Sequence, residues 1–143
     1  MFKRWFTNIR IFLVWLLGFV LALVILMLGH ELLMVFIVNT LKWGVYNVRL
    51  MNVIYYMIAG LLCFAYFILV NDYLNRSAKR GLLLKNSLLT IGIQVLIIFL
   101  IHLSLLLYGF FPMSTLFILL VIIEGLAGAI MLFFAFTKKK QSK

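Results

Sequence analysis

Four stretches of this chain are nearly free of charge over about the length needed to cross a bilayer, and that repetition constrains the fold more than any motif. Ile11 to Leu28 holds eighteen apolar or glycine residues without a charge, close to the ~20 that cross a hydrocarbon core of ~30 Å. Leu50 to Val70, Ser87 to Tyr108 and Thr115 to Thr137 follow, and Glu124 is the only charged residue among them. In lipid each backbone N–H and C=O needs a partner inside the protein, so such runs are helices unless they close a barrel. Barrel strands alternate polar and apolar residues over segments of about ten, and these runs do not. The expected fold is therefore all-α, a polytopic membrane helical bundle of about four transmembrane helices arranged as two hairpins. One integral membrane domain covers residues 1–143.

The first span, 11–29, carries an ambiguity. Gly29-His30-Glu31 gives way to a second apolar run, Leu32 to Val38, before Asn39, Thr40 and Lys42. One reading extends a single helix to residue 39, about 45 Å long at 1.5 Å per residue, which protrudes or bends near Gly29. The other ends the span at Gly29 and lays the next segment in the interface, with Trp43 and Tyr46 at headgroup level. The continuous helix is preferred, because an isolated Gly is tolerated in membrane helices. The basic N-terminus mimics a secretory signal, but its apolar run exceeds a signal core and no small-x-small site follows, so a retained helix is expected. Tyr55 and Tyr56 near one end of the second span, and Tyr66 and Phe67 towards the other, read as aromatic belts.

Charge sets the orientation. The chain is 67% hydrophobic and 11% charged, with thirteen Lys and Arg against three acids, far from soluble usage, where about a quarter of residues are charged. Eleven of the cations fall at the N-terminus, in the 71–86 interval and in the tail, and only Lys42 and Arg49 lie on the other side. The positive-inside rule then puts both termini and a basic 71–86 loop in the cytoplasm. These cations border apolar runs instead of lining one soluble face, which argues against nucleic acid and for anionic lipid headgroups as partner. Arg76, Lys79, Arg80 and Lys85 are the candidate lipid-phosphate ligands. The membrane is expected to be a plasma membrane or a bacterial cytoplasmic membrane. The lone Cys63 lies in an apolar run and reads as a small buried hydrophobe.

Few residues within the spans can carry chemistry. Glu124 lies thirteen residues before Thr137 and His102 fourteen after Leu88, which puts both about 20 Å from the basic end of their helices. A mid-membrane carboxylate must be paired or carry a proton, so the two are expected to meet. An interhelical clamp is the favoured reading, with a proton- or cation-handling site as the alternative. His30, Glu31 and Asn52 form a second polar level near the outer face. No third and fourth ligand converges there, and the HE pair lacks the second His of a zincin helix, so no metal is expected. Gly125, Gly128 and Ala129 place small residues three and four apart, a surface for close helix approach. No nucleophile elbow, P-loop, dinucleotide fingerprint or CxxC occurs, so neither an enzyme nor a cofactor is expected.

In size and four-span topology the chain is similar to the GtrA-like group associated with polyprenyl-linked sugar translocation. The local match is Asn71, Asn75 and Arg76 at the end of the second span. Ser77-Ala78-Lys79 replaces the aromatic residues that usually follow the Arg, and the first-span region is longer. The resemblance implies a small transporter or lipid-linked sugar translocase that engages phosphate through its basic loop. The residues themselves favour a non-enzymatic accessory, interaction or protective subunit, with a membrane-protein partner or a homodimer. A holin-like pore former is a third reading, disfavoured because no helix carries a polar stripe.

Overall fold

The computed structural model of the protein describes residues 2–42, 44–110 and 114–137, with side chains from Asn8 onward. They form α1 (Phe2–Phe36), α2 (Val45–Lys79), α3 (Leu83–Leu107) and α4 (Thr115–Thr137), and α1 runs on into a π-helical turn at Ile37–Leu41. All four helices are long and apolar enough to cross a membrane. Among the described residues there is no strand. The protein is a helical membrane bundle.

The first helix does not break at Gly29. It continues through His30 and Glu31 into the π turn and stops at Lys42, whose φ of 51° lies in the left-handed region. Among the described residues no separate helix lies between this turn and α2. The expectation for Trp43 lies outside the described residues, as do those for the Phe111–Met113 turn and the Lys138–Lys140 stop.

The 71–86 interval departs most from its reading as a loop. The second helix runs through it to Lys79, and only 80–82 separate it from α3. Polar residues mark where α2 leaves the apolar layer, not where it unwinds, because their side chains serve the helix. Arg76 pairs with Asp72 one turn earlier at 2.7 Å, and Asn75 Nδ2 donates to the Asn71 carbonyl at 2.9 Å. Leu74 and Ser77 are buried on the inner face of the same turns.

Two glycines close the helix ends. Gly81 has a φ of +68°, its N–H donates to the Ala78 carbonyl, and the N–H of Leu82 donates to the Ser77 carbonyl. Gly109, at +71°, is bonded likewise to Leu106, with Phe110 bonded to Leu105. Both are Schellman closures, which need a residue free of the Cβ penalty at positive φ. Asn86 Nδ2 donates to Ser77 Oγ at 2.7 Å and so ties the start of α3 back onto the end of α2.

The helices do not surround a common axis evenly. The first helix packs against both α2 and α3, α4 packs chiefly on α3, and α2 and α3 meet sparsely. The buried core is accordingly thin: Ile11, Ala59, Leu74, Ile98, Leu105, Val121 and Ala135 are among the few buried side chains. Large apolar residues such as Leu61, Phe133 and Phe136 face outward, the solvent-facing surface of a protein whose solvent is lipid. Trp15 packs edge-on against Phe67 with ring centroids 4.6 Å apart and joins α1 to α2.

The belt reading needs correction at Tyr55 and Tyr66. The Tyr55 hydroxyl donates to the Leu26 carbonyl, and the Tyr66 hydroxyl meets Gln94. Both phenols turn inward because a neighbouring helix offers a hydrogen-bond partner at that depth, which a hydroxyl in an apolar layer needs.

Candidate functional site

Three polar groupings lie between helices. In the α3–α4 seam, His102 Nδ1 stands 2.8 Å from Glu124 Oε2, with the side chains 12% and 20% exposed. One shared proton suffices for this bond. It comes from the Nδ1–H of a neutral imidazole to a carboxylate, or from a protonated Glu124 to a bare Nδ1. The Phe117 ring covers the imidazole edge-on at 5.6 Å.

The seam is built by period. Val121, Glu124, Gly125, Gly128, Met131, Leu132 and Ala135 recur at three and four residues and form one face of α4. A Cβ on Gly128 would lie 2.8 Å from the Leu96 side chain, and one on Gly125 would lie 3.0 Å from the Phe99 ring. Gly92 on α3 answers them, facing Met131 and Leu132. Ala129 does not belong to this surface. It lies four residues after Gly125 but on the outer edge of that face, and it is exposed.

The second grouping joins three helices. Gln94 on α3 is 5% exposed, and its Nε2 donates to the Gly18 carbonyl on α1 and to the Tyr66 hydroxyl on α2, each at 2.8 Å. Gln94 Oε1 is buried and has no hydrogen-bond partner among the described residues. A Cβ on Gly18 would meet the Tyr66 hydroxyl at 2.7 Å, so glycine is what lets the phenol reach the knot. Sequence reasoning registered Gln94 only as a polar interruption and missed its partners. A primary amide in mid-span was the available signal, since both its ends require partners in lipid. Gly18 carries no such signal.

The third grouping is at the end of the bundle opposite the α2–α3 turn. His30 Nε2 lies 2.7 Å from Asn52 Oδ1, which makes Nε2–H the donor. The imidazole stacks on Tyr56 and meets Tyr55 edge-on. Glu31 Oε1 is 3.9 Å from His30 Nδ1, and its side chain is half exposed. Among the described residues no three His, Cys, Asp or Glu side chains gather as a metal would need.

At the α2–α3 turn, Arg76, Lys79 and Arg80 are exposed and Lys85 is partly covered. They share one end of the bundle but not one face. Arg76 and Arg80 continue the α2 stripe of Leu62, Tyr66, Leu69 and Tyr73, whereas Lys79 turns away from it. Cys63 is only partly buried and lines an apolar groove between α2 and α3, unlike the interior position expected of it. Scans of protein-family models, curated proteins and solved structures find no match to this chain, so the GtrA-like resemblance rests on the residues quoted for it alone.

Proposed function

We propose that the chain is a non-enzymatic accessory subunit that lies beside a larger membrane protein. One observation carries the reading: the three intramembrane polar groupings are each hydrogen-bonded to a neighbouring helix, in different seams. His102 meets Glu124 between α3 and α4, Gln94 bridges α1 and α2 from α3, and His30 meets Asn52 between α1 and α2. A transporter or pore needs polar groups that line one path, and these groups serve packing instead. Specific association in lipid rests on such interhelical bonds and close small-residue contacts. The thin core leaves apolar faces of α1, α2 and α4 for a partner.

Affinity purification in mild detergent tests this, with Glu124→Gln as the control for a working carboxylate. A stoichiometric membrane-protein partner, retained by Glu124→Gln, is the expected result. A lone homodimer whose transport is abolished by Glu124→Gln and by His102→Gln would establish the transporter reading in its place.

A further inference from the structure

We infer that the groove between α2 and α3 is a binding site for one anionic glycerophospholipid, its acyl chain in the groove and its phosphate at Arg80, Lys85 and Arg76. The inference is independent of the accessory-subunit reading. The groove exists because α2 and α3 meet sparsely while both pack on α1, which leaves a floor without a lid. Its volume is about 520 Å³, inside the ~300–1,000 Å³ of sites that hold small ligands. Ala22 and Leu26 form the floor, and Leu62 to Tyr73 on α2 face Leu89 to Ile97 on α3.

Length and charge choose the occupant. The eleven steps from Leu62 to Tyr73 rise about 16 Å, half of a ~30 Å hydrocarbon core. That is the depth of one leaflet, which suits an acyl chain and is short for a membrane-spanning isoprenoid or a partner's transmembrane helix. The helix register then supplies the headgroup site. Arg76 and Arg80 continue the groove-lining stripe of α2 beyond Tyr73, and Lys85 stands one turn before Leu89 on α3. Asp72 holds Arg76 at 2.7 Å, so the full charges for a phosphate come from Arg80 and Lys85, with Arg76 as a further donor. An anion there stands over a tail channel that the same two helices build.

Native mass spectrometry of the protein, reconstituted in equimolar phosphatidylglycerol and phosphatidylcholine and then extracted in mild detergent, tests the site. The parent is expected to retain one phosphatidylglycerol per chain with at least tenfold preference over phosphatidylcholine, since each basic residue near an anionic lipid is worth about fivefold. Exchanging Arg76, Arg80 and Lys85 together for Gln should bring that preference to near unity. Ala22→Phe raises a ring from the floor, and Thr90→Phe raises one from the α3 wall. Whichever of the two melts like the parent should retain neither lipid, although all cations remain. Retention of phosphatidylglycerol by a folded groove-filling variant, or an undiminished preference in the triple variant, would overturn the inference. So would a second copy cross-linked across the groove in place of lipid.

Discussion

At the residue scale, the His102–Glu124 contact is worth what its geometry allows and no more. Interhelical hydrogen bonds in membranes average about 0.6 kcal/mol, because the separated helices find other partners. Glu124→Gln keeps an acceptor 2.8 Å from Nδ1 and is expected to leave the thermal midpoint in detergent almost unchanged. Glu124→Leu removes this hydrogen bond altogether and should cost about 0.6 kcal/mol, with a thermal midpoint below that of Glu124→Gln. Equal loss in both variants would mean that the carboxylate charge, not the hydrogen bond, holds the seam. Glycines allow a sharper comparison. Gly18→Ala drives a methyl to within 2.7 Å of the Tyr66 hydroxyl, whereas Gly60→Ala meets nothing within 4 Å. The first should destabilise by about 1–3 kcal/mol through overpacking, and the second should stabilise by up to about 1 kcal/mol through helix propensity. Denaturation of both variants in the same detergent checks the pair.

At the scale of elements, the two Schellman closures decide how α2 returns as α3 and how α3 ends. Gly81→Ala asks an L-residue to hold a φ of +68° and is expected to cost about 1–2 kcal/mol. Gly44→Ala serves as its control, since Gly44 is extended with a φ of −68°. The fourth helix is more exposed to failure, because it packs chiefly on one neighbour. Gly128→Leu would force a side chain where even a Cβ lies 2.8 Å from Leu96. Limited proteolysis after reconstitution should then cut the α3–α4 connection faster while α1 to α3 stay protected. Uniform loss of protection would show that α4 is integral to the fold of the other three.

At the scale of the whole molecule, orientation follows from eleven basic residues on one side against two on the other. A membrane-impermeant thiol reagent on intact cells tests it in a Cys63→Ser background. Gly44→Cys is expected to label from outside, and Lys79→Cys only after the membrane is opened. Labelling of Lys79→Cys from outside would invert the topology and place the lipid groove in the outer leaflet. Neutralising the four cations of 71–86 should weaken the orientation without reversing it, because the termini keep seven.

Helix number and type were legible from the chain alone, because lipid leaves no alternative to internal hydrogen bonding over a long apolar run. The meeting of His102 and Glu124 was legible as well, since depth along a helix is a count of residues times a fixed rise. Their partners in rotation were not. Apolar residues cover every face of these helices, so no amphipathic stripe shows which face of α3 meets α1 and which meets α4. For that reason Ala129 read as part of the small-residue seam while Gly18 went unnoticed. The 71–86 interval read as a loop because polarity was taken for irregularity, although Asn, Asp and Arg at four-residue spacing support a helix once it is outside the lipid. Sequence therefore determined the spans and the charge bias between their two ends, which depend on hydropathy and charge summed over many residues. Tertiary structure alone decided the Gln94 knot and the α2–α3 groove, which depend on how three helices rotate against one another, a choice made by close packing.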